Sequence, residues 1–258
     1  MADLIHADTT RSHLSMRPIT LWRRLLAEFL GTALLVTAVV GSGIMAVRLS
    51  PDDVGLQLLE NSVATAFALG ALILTFGPAS GAHFNPVVSA ADWLLGRRTG
   101  TGLTIGDLCG YAVAQTLGAI AGSVLANLMY GLAPVTLSTK DRAAGNLWLG
   151  EVVATTGLLL LIFALGRSGR AAVAPAAVGA YIGAAYWFTS STSFANPAVT
   201  VGRAFTDTFA GIAPASVPGF VGFQLVGLFV GVGLLLALYP DAGRSPDDIV
   251  VEHPAANS

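Results

Sequence analysis

Apolar residues run along this chain in long unbroken blocks, not in the short periodic stripes of a soluble fold. Asp, Glu, Lys and Arg are absent from 31 residues between Glu60 and Asp92 and from 32 between Asp107 and Lys140. They are absent again from 32 between Arg170 and Arg203 and from 33 between Asp207 and Asp241. A bilayer core takes about 20 apolar residues per helix. Six segments meet that length: Leu25–Val47, Leu56–Phe76, Ile105–Tyr130, Leu147–Leu165, Ala171–Phe188 and Pro218–Tyr239. The pattern predicts an all-α membrane protein with six transmembrane helices. The first segment does not read as a cleaved signal, because its apolar run is too long and contains Glu28. Two uncharged blocks exceed one span. After Phe76 comes GPASGAHFNPVVSAADWLLGRR, and after Phe188 comes TSSTSFANPAVTVGRAFTD. Each opens with small and polar residues and then turns apolar. Irregular backbone at membrane depth survives only against protein or a water-filled cavity. Both blocks are therefore expected to re-enter the membrane as a loop followed by a short helix.

Composition agrees. The 258 residues are 54% apolar and 11% charged, where about 25% charged is average for soluble domains. A net charge of −2 offers no field for nucleic acid. One cysteine, Cys109, excludes a disulfide framework and any multi-cysteine metal site; it reads as a small apolar residue. Residues 1–20 and 241–258 are polar and read as disordered tails, with His6, His13 and His253 solvated. With the N-terminus placed inside, nine arginines fall on the inner face: Arg11, Arg17, Arg23, Arg24, Arg97, Arg98, Arg167, Arg170 and Arg244. Four basic residues, Arg48, Lys140, Arg142 and Arg203, fall outside. That imbalance predicts both termini in the cytoplasm of a cell inner membrane.

The chain reads as two copies of one unit, residues 21–135 and 145–240 of a channel domain spanning 21–240. Glu28-Phe-Leu-Gly-Thr32 matches Glu151-Val-Val-Ala-Thr155. Gln115, Gly118 and Gly122 match Gln224, Gly227 and Gly231. Asn85-Pro86 matches Asn196-Pro197. Three spans per copy is an odd number, so the second copy enters from the opposite side, as an inverted repeat. The paired glycines let helices approach closely.

Asn is a strong N-cap and Pro is favoured at the first helical position. The half-helices are expected over Pro86–Leu95 and Pro197–Thr206. About ten residues span about 15 Å, half of a ~30 Å core. Inversion brings the two N-termini together near the midplane. Each carries about half a positive charge, which repels cations and passes neutral molecules. The Asn oxygens cap their helices, and the amide hydrogens are expected to face the lumen.

SGAHFNPV, FANPA, the paired Glu residues and the Q-x-x-G repeats resemble the aquaporins, or major intrinsic proteins, over Trp22 to Tyr239. The resemblance implies six helices plus two half-helices, a homotetramer with one pore per protomer, and passive flow of water or small neutral solutes. It implies no cofactor. It carries over Asn85, Pro86, Val87, Asn196, Pro197 and Ala198 as the pore centre. Glu28 and Glu151 are expected to hold loop backbone, with His83 supporting the first loop and lying near the pore.

This sequence departs from the family in two places. Val87 stands where Ala is usual. Val199 stands where most aquaporins have an Arg that narrows the outer filter, so a wider, more apolar constriction is expected. Arg203, one turn further out, is expected at the pore mouth and not at that site. Counted back from the two Asn residues, the resemblance implies Thr65 on the filter, with either Ala184 or Tyr186 as the filter residue of the fifth span, Ala171–Phe188, and Ser193 lending oxygen. WFTSSTSFANPAVTVGRAFTDTFAGI resembles an aquaglyceroporin subgroup linked to arsenic resistance, which implies passage of neutral arsenite or methylarsenicals. Glycerol-like polyols and water are the leading solutes. A strict water channel, a coupled secondary transporter and a closed structural protein are the rivals. No nucleophile–base pair, phosphate loop or zinc spacing is present in the sequence, so no enzymatic site is assigned.

Overall fold

A computed structural model describes residues 19–97 and 100–239. The two tails lie outside the described residues apart from Ile19 and Thr20, as does Arg98. Among the described residues there are eight α-helices and no strand. They are α1 (Leu21–Leu49), α2 (Val54–Ser80), α3 (Pro86–Gly96), α4 (Ile105–Met129), α5 (Gly145–Arg167), α6 (Ala174–Phe188), α7 (Pro197–Gly202) and α8 (Val217–Leu238). Six of these helical segments are long and apolar enough to cross a membrane. The other two, α3 and α7, are the half-helices that follow the Asn-Pro pairs.

Helix ends follow local chemistry. The Asp53 carboxylate caps α2 by accepting the Leu56 N–H, and the Thr104 hydroxyl caps α4 at Asp107. The expected end of the second span was Phe76, but α2 continues to Ser80 through Pro78. Proline removes only one ladder bond there. The helix then closes on Gly81, whose φ of 86° is left-handed and whose N–H reaches the Gly77 carbonyl. Pro175 takes the first turn of α6, where its missing N–H costs nothing. The second half-helix is shorter than expected: α7 has six residues and tightens into a 3₁₀ turn over Arg203–Phe205.

The halves pack alike. In the first, α1 lies against α4; in the second, α5 lies against α8. Glycines set both contacts. A Cβ on Gly118 would overlap the Phe29 carbonyl, and one on Gly122 would overlap that of Ala33. In the second half a Cβ on Gly227 would come within 2.8 Å of the Thr155 Cβ. Helices α2 and α6 cross between the halves, where Gly179 faces the Ala66 carbonyl. The buried core lies between the halves and includes Val36, Val40, Val87, Leu159 and Ala198. Many large apolar residues on outer helix faces are exposed, Phe67 and Phe229 among them, as lipid-facing surfaces require.

Gly118→Val is expected to lower the thermal midpoint of the detergent-purified protein, by the equivalent of about 1–3 kcal/mol of overpacking. Gly222→Ala, whose Cβ meets nothing within 4 Å, is expected to leave it in place. Equal midpoints for both would show that α1 and α4 do not depend on close approach.

Candidate functional site

The two loops ahead of the half-helices have the same backbone. Ala82 and Phe84, three and one residues before Asn85, have φ of 50°. Ser193 and Ala195, at the same offsets before Asn196, have φ of 48° and 46°. Left-handed conformations in non-glycine residues cost about 1–3 kcal/mol each and persist only where the surroundings impose them. Here a buried carboxylate does so in each half. Glu28 accepts the N–H groups of His83 at 3.0 Å and Phe84 at 2.7 Å. Glu151 accepts those of Phe194 at 2.9 Å and Ala195 at 2.8 Å. Gln115 and Gln224 donate to these carboxylates at 2.8 and 2.6 Å. The same two amides also reach the hydroxyls of Ser89 and Thr200, each four residues after its Asn.

Asn85 Oδ1 caps α3 at the Val87 N–H, and Asn196 Oδ1 caps α7 at Ala198 and Val199. The amide groups are not wholly free for the lumen, as spacing alone had suggested. Asn85 Nδ2 donates to the Ala195 carbonyl at 2.7 Å, and Asn196 Nδ2 donates to the Phe84 carbonyl at 2.8 Å. Each loop thus fastens the other, and the second hydrogen of each amide has no partner among the described residues.

Between the halves lies a cavity of about 70 Å³, room for several waters. Asn85, Asn196, Thr65, Tyr186, Ser193 and Val199 line it, amid mostly aliphatic side chains of α1, α2, α5 and α6. The structure separates the two filter candidates on α6. Ala184 is exposed on α6 and does not line the cavity. Val178, Ile182 and Tyr186 recur at four-residue spacing and share the inner face. The Tyr186 hydroxyl lies 3.2 Å from that of Thr65. Pro86, Val87, Pro197 and Ala198 do not line the cavity either; they form the first turns of the half-helices behind it. Val88 takes their place. It stands three residues after Asn85, as Val199 does after Asn196, and both face the cavity. That shared offset was available in the sequence and went unused. Phe194, the counterpart of His83, was also missed. His83 lines the cavity, with Nδ1 3.0 Å from the Ser89 hydroxyl and its ring edge-on to Tyr111.

Arg203 departs most from expectation. It is 3% exposed and lines the same cavity as Val199. The α4–α5 loop straps this end of the bundle. Ser138 N–H donates to the Ala204 carbonyl and Ala213 N–H to that of Lys140. Asp207 accepts the backbone and hydroxyl of Thr139. That backbone N–H, with the hydroxyls behind it, holds the Asp207 carboxyl below its ordinary value. Burial, and then the charges of Arg142 and Arg203, push Lys140 down to about 8.

Glu28→Gln or Glu151→Gln leaves one acceptor oxygen where two served. Each stranded buried donor costs about 1–3 kcal/mol. Both variants are expected to melt earlier than the parent in detergent, by similar amounts. A variant that melts with the parent would show that its carboxylate does not hold its loop.

A sequence model of the family described as Major intrinsic protein matches residues 15–193. The chain is 51% identical over 220 residues to Aquaglyceroporin AqpS of Rhizobium meliloti (strain 1021), covering 85% of this chain and 91% of that one. It is 28% identical to Aquaporin AqpM of Methanothermobacter marburgensis, covering 86% and 97%. Among solved structures, the aquaglyceroporin from Plasmodium falciparum superposes with a TM-score of 0.62 at 20% identity, covering 88% of this chain and all of that one; this likeness bears on the fold. With the paired loops, the repeated halves and these matches together, the chain belongs to the major intrinsic protein family.

Proposed function

We propose that this protein is a passive channel for water and small neutral polyol-like solutes such as glycerol. One observation carries the reading. The cavity lies where two half-helix N-termini meet, with Asn85 and Asn196 presenting an amide hydrogen each and aliphatic walls around them. A hydroxylated neutral solute finds donors for its oxygens and apolar surface for its carbons. A cation meets two positive helix ends. The likeness to a protein named aquaglyceroporin supports the same solute class.

A coupled transporter needs an ionisable group on the transport path. Both oxygens of Glu28 and of Glu151 are engaged by loop or glutamine donors, and neither residue lines the cavity. The two carboxylates serve as loop supports. Thr65, Tyr186, Ser193 and Val199 form the selective part of the pore, with a valine side chain that offers no donor. Neutral arsenite and methylarsenicals, uncharged and hydroxylated, are the next solutes in this class. The channel domain comprises residues 21–240, with repeats 21–135 and 145–240. Its working form is a homotetramer in the cell inner membrane, with both termini in the cytoplasm as the arginine balance favours.

The test is stopped-flow light scattering of proteoliposomes in a glycerol gradient, with empty liposomes as blank. Rapid glycerol uptake that Val199→Arg slows is the expected result. Rapid water flux with no glycerol uptake by the native protein would replace this reading with a strict water channel.

A further inference from the structure

Val199 and Arg203 are separated by one helical turn, and residues at that spacing share a face. Helical side chains also slant back toward the start of their helix. Arg203 and Val199 both line the cavity. Gly202 makes the placement possible. A Cβ there would come within 2.6 Å of the Ala119 carbonyl, so α7 lies tightly on α4 and its other face turns inward.

The Arg203 guanidinium is anchored on two sides. Its Nε–H donates to the Ala210 carbonyl. Its central carbon lies 3.5 Å from the centroid of the Phe194 ring. Phe194 is itself fixed, through its N–H on Glu151 and its ring against Phe220. No carboxylate forms an ion pair with Arg203 among the described residues. A buried charge without a counter-ion is costly, and here one carbonyl and one aromatic face stand in for it. Arg142 approaches the same ring at 5.0 Å, but its donors are directed to the Gly211 and Ser191 carbonyls. A guanidinium has five N–H groups, and among the described residues Arg203 commits one of them. A second orphan lies in the same cavity: the Ser193 hydroxyl is buried and has no hydrogen-bond partner among the described residues.

We propose that Arg203 is the charge barrier and solute-orienting residue of this pore, acting from the turn after Val199. Its fixed charge excludes cations where Val199 supplies none. Its uncommitted N–H donors and the Ser193 hydroxyl bind the oxygens of a neutral solute passing the Thr65–Tyr186 pair. The inference rests on the channel reading. It places a fixed positive charge beside a constriction that Val199 leaves apolar.

The test uses the full-length chain in proteoliposomes. Water and glycerol fluxes are read by light scattering, and Na⁺ and proton leak by trapped fluorescent indicators. In Arg203→Gln, cation leak per unit of water flux is expected to rise about tenfold or more, which corresponds to about 1.4 kcal/mol of barrier. Arg203→Lys keeps the charge and is expected to stay tight to cations while its glycerol-to-water ratio changes. Adding Val199→Arg to Arg203→Gln is expected to restore exclusion. An Arg203→Gln channel as tight to cations as the parent would overturn the proposal. If Arg203→Gln conducts no water, the lysine variant decides: tight to cations supports the charge barrier, leaky overturns it. Native protein that passes water but admits no glycerol would fail the polyol reading instead and leave a strict water channel, and the cation arms would still report on Arg203.

Discussion

Backbone that leaves a helix at membrane depth has no water to bond to, and each half of this chain meets that constraint with a single carboxylate. Glu28 and Glu151 each take two consecutive loop N–H groups. Both loops turn through left-handed residues at the same two positions, a shape that leaves those N–H groups side by side. A neutral acceptor would serve them less well, because hydrogen bonds to charged groups are shorter and stronger. The charge is tolerable because the donors surround it. Gln115 and Gln224 complete each shell and tie it to the helix behind.

With the loops held, the remaining geometry follows. The two asparagines cap their own half-helices and reach across to the opposite loop. The midplane is therefore one cross-linked unit and not two abutting pieces. Glycines at Gly118, Gly122, Gly179 and Gly227 bring the helices close enough for that unit to form. What is left open is a narrow, mostly aliphatic cavity with polar atoms at fixed points.

The halves are alike in backbone and differ in the side chains they show the cavity. His83 faces Phe194 across the pseudo-symmetry, and Val88 corresponds to Val199. Arg203 has Asp92 at the equivalent offset, yet Asp92 turns away to accept the Leu103 N–H. The symmetric frame thus carries an asymmetric lining. Basic side chains collect at the end strapped by the α4–α5 loop, where Lys140, Arg142 and Arg203 lie together.

Much of this was legible in the sequence, because lipid leaves few options. Long uncharged blocks must be spans, and short apolar segments after Asn-Pro must be half-helices. An odd number of spans per copy must invert the repeat. The paired Glu residues read as loop supports and the paired Asn residues as helix caps, whereas nothing local marked Gln115 and Gln224 as donors to those carboxylates. Other features depended on direction and register at the scale of one residue. Ala184 and Tyr186 differ by two positions, and only the rotation of α6 puts Tyr186 inside and Ala184 outside. Spacing set Arg203 one turn beyond Val199; the tight contact of Gly202 with α4 and the Ala210 carbonyl turn it into the cavity. The asparagine amides gave no sign of reaching across, since their acceptors lie 110 and 112 residues away in the chain. Hydrophobic patterning specifies which segments enter the membrane. Which atoms face each other across the pore is decided by packing between distant segments, and no local pattern encodes that.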